Sequence, residues 1–257
     1  MDRHVNFHEP GGYMNCHCCE GEYTTLQKDV YICPECNHIY RDYTGDSLNY
    51  HTNCYRDEEG FRGSGEIMNG KITEQFHENR KGICSNRVGY SAQFLEPGDS
   101  VLDIGAGAGT FARLLEQQLN PHSITCAELD DRLVAECRSL GFETLQSGIL
   151  ELPKSNNVDV IFMWHVLEHI QDVKSSIRKL GSMMTKRAVI EVPLLVALDG
   201  KGRRRELTPP NEGKYDGHYH YFCERSFRKL AKSAGMKIVD LREGVQSPAL
   251  LAVIEHD

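Results

Sequence analysis

Two tight cysteine pairs are the first residues whose types and spacing could do chemistry. Cys16-x2-Cys19 and Cys33-x2-Cys36 stand thirteen residues apart. Each pair presents two thiolates from one turn, and four thiolates suit a tetrahedral zinc with every coordination position filled. A filled site is structural rather than catalytic. Cys18, His17 and His38 are near enough in sequence to replace one ligand, so the set stays open at that point. The runs Tyr23-Thr24-Thr25-Leu26 and Val30-Tyr31-Ile32 fall between the pairs, as the hairpin of a zinc ribbon requires. A redox Cys-x2-Cys would follow a strand opening a βαβ unit, and none precedes either pair.

The second constellation is Val101-Leu102-Asp103-Ile104-Gly105-Ala106-Gly107-Ala108-Gly109. A buried strand enters a glycine turn that opens a helix, the arrangement that lets backbone approach a ligand at the first crossover of a parallel sheet. Glu128 ends the next strand, 23 positions after Gly105. A carboxylate there can accept both ribose hydroxyls of a nucleoside-containing cofactor. A dinucleotide fingerprint would place glycine at position 110, where this chain has Thr, and Asp103 is unusual for that fingerprint.

A third group is Trp164-His165-Val166-Leu167-Glu168-His169, with His218-Tyr219-His220-Tyr221 further on. His165, Glu168 and His169 share one face if the segment makes a helical turn. With His218 or His220 they could hold a divalent metal. Without metal, His218 or His220 is the expected general base, because a neutral imidazole can take a proton near physiological pH. Lys201, Arg203, Arg204 and Arg205 form the one basic cluster, within the insertion 198–217, and arginine forks suit an anionic acceptor such as a nucleotide-sugar or phosphorylated glycan.

Strand-like and helical runs alternate from Ser100 onward, which predicts an α/β, Rossmann-like, doubly wound parallel sheet covered by helices on both faces. Residues 1–45 are read as the ribbon and 46–97 as a helical bridge, with Ile67, Ile72, Phe76, Tyr90 and Phe94 spaced as on amphipathic helices. Residues 98–257 form the sheet domain. Hydrophobic residues make up 40% of 257, enough for a core. A net charge of -8 weighs against a nucleic-acid partner. No apolar run reaches the length of a membrane helix, and Met1-Asp2-Arg3-His4 carries no apolar signal region. The expectation is a soluble cytoplasmic protein with no membrane partner; the sequence sets no oligomeric state.

Asp103 before Gly105-x-Gly107-x-Gly109 resembles the first motif of class I S-adenosylmethionine-dependent methyltransferases. The resemblance covers roughly residues 86–257 and continues at Asp159-Val160-Ile161-Phe162, Leu167-Glu168-His169, Glu191-Val192-Pro193 and from His220 through Gly235. It implies a seven-stranded sheet and S-adenosylmethionine as cofactor. Asp103 would stand near the methionine ammonium, Gly105, Gly107 and Gly109 would cradle the methionine part, and Glu128 would hold the ribose. Where many members carry an acid that contacts adenine, this chain has Gly148, so adenine would rest on backbone and on Leu129 and Ile149. His165 and Trp164 would pack near the cofactor. A ribbon followed by this domain is similar to the branch that includes sugar C-methyltransferases. That branch implies methyl transfer to a hydroxyl or carbon of a small saccharide-like or secondary-metabolite acceptor. The rival expectations are an RNA 2′-O-type methyltransferase and an inactive cofactor-binding scaffold. The Glu168, His169 and distant His set is similar to that of metal-dependent O-methyltransferases, with Mg2+ or Mn2+ as the ion, but His165 stands where that set has Glu.

Overall fold

The computed structural model describes residues 14–42, 67–68, 71–153, 157–194, 217–245 and 248–257. The basic cluster Lys201, Arg203, Arg204 and Arg205, most of the insertion around it and the first part of the bridge lie outside these residues.

The cysteine turns are built alike. Asn37 N–H bonds Cys33 O at 2.8 Å and Cys33 N–H bonds His38 O at 2.9 Å; Glu20 N–H bonds Cys16 O at 3.2 Å and Cys16 N–H bonds Gly21 O at 2.5 Å. Each turn leaves through a left-handed residue, Glu20 at φ 64 and Asn37 at φ 60. Between them β1 (Thr24–Gln27) and β2 (Val30–Ile32) pair antiparallel across a turn at Asp29, φ 56. β3 (Ile39–Arg41) adds to β2.

Where the sequence suggests a helix through Ile67 and Ile72, the chain makes a small hairpin, β4 (Ile67–Met68) against β5 (Lys71–Ile72), with Ile67 opposite Ile72. Two apolar residues five apart fit a cross-strand pair as well as a helix face, so the spacing alone did not decide. Helix α1 (Glu74–Ser91) then follows, burying Phe76, His77, Cys84 and Val88.

The large sheet runs through β6 (Ser100–Ile104), β7 (Ser123–Glu128), β8 (Glu143–Gln146), β9 (Val158–Trp164), β10 (Met184–Pro193), β12 (Met236–Glu243) and β13 (Ala249–His256). Its order is β12-β13-β10-β9-β6-β7-β8, parallel except that β13 runs antiparallel to both neighbours. The strand order reverses beside β6, which creates the crevice where ligands bind in open α/β sheets.

Strand periodicity sorts the core into two layers. Val101, Val160, Phe162 and Trp164 pack against α1, α2 (Thr110–Leu119) and α3 (Asp131–Ser139). Leu102, Ile161 and Met163 face α4 (Val173–Gly181) and α5 (Glu224–Ser233), and Cys16, Cys33 and Cys36 join this second layer. Burial on both faces explains why β9 reads as a near-continuous apolar run. The short strand β11 (His220–Tyr221) stands outside the large sheet and pairs antiparallel with β3, so the small N-terminal sheet is completed by a strand from much later in the chain. No described helix is long and apolar enough to cross a membrane.

Candidate active site

The glycine turn is held from beneath by the neighbouring strand. Gly105 and Ala106 N–H groups both bond Ala127 O, at 2.8 and 3.2 Å. Gly105, Gly107 and Gly109 all lie in the left-handed region, at φ 71, 56 and 74. A side chain on Gly105 would collide with Val166, whereas Gly107 opens onto space. Gly109 ends the turn as the cap of α2, and a Cβ there would fall 3.2 Å from Cys137 Sγ.

Glu128 ties this turn to the next crossover. Its Oε2 accepts the Gly107 N–H at 2.9 Å, and its Oε1 accepts those of Leu129 and Asp130 at 2.7 and 3.2 Å. Burial raises its pKa against the pull of those three donors. Asp130 then caps α3 by accepting from Arg132 and Leu133 N–H groups.

These parts wall a cavity of about 670 Å³ at the carboxyl ends of β6, β7 and β9. Asp103, Gly105, Gly107, Glu128, Leu129, Gly148, Ile149, Trp164, His165 and His169 all line it; Gly109 does not. Helix α1 supplies a wall that the sequence did not announce, with Phe76, Arg80, Cys84 and Arg87. Asp103 is 1% exposed, and neither carboxylate oxygen has a hydrogen-bond partner. Burial pushes its pKa up to about 7, with the Glu128 charge adding and the Arg87 guanidinium opposing. An orphaned carboxylate at the foot of a glycine cradle fits a ligand that brings its own cation. Trp164 Nε1, also buried and unpartnered, stands on the same wall.

Leu167–His169 makes a 3-10 turn one residue after His165, which is left-handed at φ 58. His165 Nδ1 lies 3.3 Å from Glu168 Oε1, and Nε2 lies 3.2 Å from Glu191 Oε1. Both carboxylates are fully buried. Burial alone would lower the His165 pKa, but the two carboxylates outweigh it and hold the imidazole at about 9. Glu191 stays below the usual carboxylate range despite burial, because His165 and Arg87 face it; Arg87 Nη2 donates to its Oε1 at 3.1 Å.

His169 Nδ1 donates to Gly217 O at 2.8 Å, which leaves Nε2 as the basic nitrogen, 3.9 Å from Glu168 Oε1. The His218 ring packs edge-on at 4.7 Å from His169. Donor atoms of Glu168, His169 and His218 lie within 4.8 Å of one another. His220 is elsewhere. It is 1% exposed, does not line the cavity, and bonds His38 Nε2 through Nδ1 at 3.2 Å and Gln171 O through Nε2 at 3.0 Å. The expectation of His220 as a base therefore gives way to a buried role between ribbon and turn.

In the N-terminal turns, Cys16, Cys19, Cys33 and Cys36 present Sγ atoms within 4.8 Å of one another, with Cys16–Cys36 at 3.6 Å and Cys19–Cys33 at 3.5 Å. Tetrahedral zinc with bonds of ~2.3 Å would set its sulfurs ~3.8 Å apart, so the four thiolates fit. Cys16, Cys18 and His38 also cluster. Both His38 nitrogens are already engaged, Nδ1 by Tyr23 Oη at 2.6 Å and Nε2 by His220, which favours the four cysteines as the ligand set.

A glycine cradle, a strand-end acid and an orphaned carboxylate at the crevice of a doubly wound sheet define a domain that binds a nucleoside-containing cofactor. Residues 76–241 match the family model described as a methyltransferase domain, and the chain belongs to that family. Over 82 residues it is 29% identical to the malonyl-[acyl-carrier protein] O-methyltransferase of Calditerrivibrio nitroreducens, a match spanning 32% of each chain, or about a third of that curated relative's length. Among solved structures, the fold is similar to 1,6-didemethyltoxoflavin-N1-methyltransferase of Burkholderia thailandensis, bound to 1,6-didemethyltoxoflavin and S-adenosylhomocysteine. There the TM-score is 0.56 at 15% identity, over 91% of this chain and 99% of that one. Magnesium protoporphyrin IX methyltransferase of Synechocystis, with bound S-adenosylmethionine, is similar at TM-score 0.55 and 14% identity, over 83% and 98%.

Proposed function

We propose that this protein transfers a methyl group from S-adenosylmethionine to a hydroxyl or carbon of a small saccharide-like or secondary-metabolite acceptor. The observation that carries the reading is Asp103, a buried carboxylate with no partner at the foot of the glycine cradle. S-adenosylmethionine supplies an activated methyl on a sulfonium. The chain's own residues bind, orient and move a proton. Asp103 faces the methionine ammonium, Gly105 and Gly107 let the backbone approach, Glu128 holds the ribose, and Leu129 and Ile149 flank the adenine. Gly109 serves by opening α2.

In-line displacement needs the acceptor aligned and, where it is a hydroxyl or carbon acid, deprotonated. His169 is the base this geometry favours, with Nδ1 fixed on Gly217 O and Glu168 beside Nε2. His218 flanks it. His165, paired with two carboxylates, is a fixed cation and not a base. Mg2+ or Mn2+ on Glu168, His169 and His218 is the rival reading of the same turn, supported by the proximity of their donor atoms; chelation followed by re-addition of metal separates the two. A structural zinc on Cys16, Cys19, Cys33 and Cys36 completes the proposal, with residues 1–45 as ribbon and 98–257 as the transferase domain.

Calorimetry tests the cofactor. S-adenosylhomocysteine should bind and NAD should not, and Glu128→Gln should lose roughly 1.5–3 kcal/mol for each charged ribose bond. Tight NAD binding without S-adenosylhomocysteine binding would overturn the reading.

A further inference from the structure

The segment 217–221 is clamped from two sides. On one side it holds the acceptor turn: Tyr219 N–H donates to Glu168 O at 2.9 Å, Gly217 O accepts from His169 Nδ1 at 2.8 Å, and His220 Nε2 donates to Gln171 O at 3.0 Å. On the other side it holds the ribbon. Arg41 N–H donates to Tyr219 O at 2.8 Å, and β11 pairs with β3, His220 opposite Tyr40.

A directed side-chain chain runs through the same segment. His220 Nε2 faces a carbonyl and must carry the ring proton, so its Nδ1 accepts from His38 Nε2. His38 Nδ1 in turn accepts from the Tyr23 hydroxyl at 2.6 Å. Donors and acceptors alternate without a break from Tyr23 in the ribbon to the backbone just after His169. The three side chains are buried, where an unmade hydrogen bond is costly.

We propose that the ribbon is a working part of the acceptor site: Tyr23, His38 and His220 act as positioning residues that hold the Leu167–His169 turn and the Gly217 carbonyl that orients His169. A ribbon acting only as an independent module would need none of these contacts. The coupling explains why β11 pairs with the ribbon rather than with the large sheet, and why two histidines occupy an interface that apolar residues could fill.

The test uses the full-length protein with S-adenosylhomocysteine as probe. In His38→Phe, which keeps a ring in the ribbon core but neither nitrogen, amide exchange over residues 165–171 should rise by about tenfold. Zinc content and S-adenosylhomocysteine affinity should match the parent. Unchanged exchange over 165–171 overturns the proposal. Tyr23→Phe removes only the hydroxyl at the head of the chain and guards against a His38 variant that fails to fold. Its ring 15N spectrum should show both His38 and His220 displaced from their parent positions; displacement of His38 alone overturns the proposal, because the chain would then end inside the ribbon. The inference rests on the turn being the acceptor side of a methyltransferase site, a reading that fails separately if the parent protein does not bind S-adenosylhomocysteine.

Discussion

Val166 occupies the space that a side chain on Gly105 would need. The contact joins the glycine turn to the Leu167–His169 turn, which Val166 immediately precedes. Gly105 is thus required twice, by its own φ of 71 and by Val166.

Gly105→Ala should therefore be far worse than Gly107→Ala, which meets open space and bears only the strain of φ 56. Backbone strain of about 1–2 kcal/mol is expected at both sites. Overpacking should add about 1–3 kcal/mol at Gly105 alone. Thermal melts and S-adenosylhomocysteine titrations of the two variants check the ranking; equal losses would mean that Val166 moves aside freely.

Asp103 predicts a pH dependence with a definite sign. Its pKa in the ligand-free fold, about 7, lies above the ordinary carboxylate value of 3.8 because it is buried. Between those values the folded chain keeps a proton that the unfolded chain has released. The ligand-free fold therefore loses stability as pH rises through that window. A bound ammonium reverses the preference by favouring the ionised carboxylate. S-adenosylhomocysteine should bind severalfold more tightly at about pH 8 than at about pH 6. Asp103→Asn should flatten that dependence, weaken binding at the higher pH and raise the melting temperature of the ligand-free protein there. A parallel pH dependence in the variant would remove Asp103 from the ammonium site.

That the glycine turn, Asp103 and Glu128 meet at one cavity was legible in the sequence because the pattern is local: a sharp turn after a buried strand demands glycine, and a strand-end acid follows at crossover distance. The cysteine pairs were legible for the same reason. The environment of His165 was not, since Arg87 and Glu191 meet there across 104 residues and Arg87 lies on a polar helix with no distinguishing pattern. The role of His220 was hidden likewise, because its partner His38 is 182 residues away. A histidine between tyrosines reads the same whether it faces a cavity or a second domain. The hairpin at 67–72 was missed because two-residue strands carry too little periodicity to separate from a helix face.

The ribbon predicts about one zinc per chain, released by a strong chelator or by Cys33→Ser. Metal loss should melt β1–β3 and free β11 while leaving the large sheet folded, so a separate low-temperature transition should appear in calorimetry. S-adenosylhomocysteine should still bind, because no described residue of the cysteine-bearing segment lines the cavity. Protein purified without chelators, fully folded and metal-free, would count against the site.

The last prediction separates the four histidines around the Leu167–His169 turn. His169 lines the cavity with Nε2 as its basic nitrogen. If it takes the acceptor's proton, His169→Ala should slow transfer of labelled methyl to a pooled metabolite fraction by about 10²–10⁴-fold. Affinity for S-adenosylhomocysteine should barely change. His218, packed on His169 but outside the cavity, should cost less when replaced by Ala. His220→Ala should act on stability first, since it leaves His38 Nε2 without its acceptor in a buried interface. His165→Asn should differ from all three. It leaves Glu168 buried without its nearest cation and Glu191 with Arg87 alone, at a cost of about 3 kcal/mol. Its stabilising effect in the parent is complete below about pH 6.5 and fades as pH rises through about 9, because its folded pKa is the raised one. The melting-temperature difference between parent and His165→Asn should therefore shrink across that window. Should His169→Ala lose activity only a few-fold while added Mg2+ or Mn2+ restores chelated parent enzyme, the turn would be a metal site. Should neither occur, the acceptor must be nucleophilic enough at neutral pH for alignment alone to suffice.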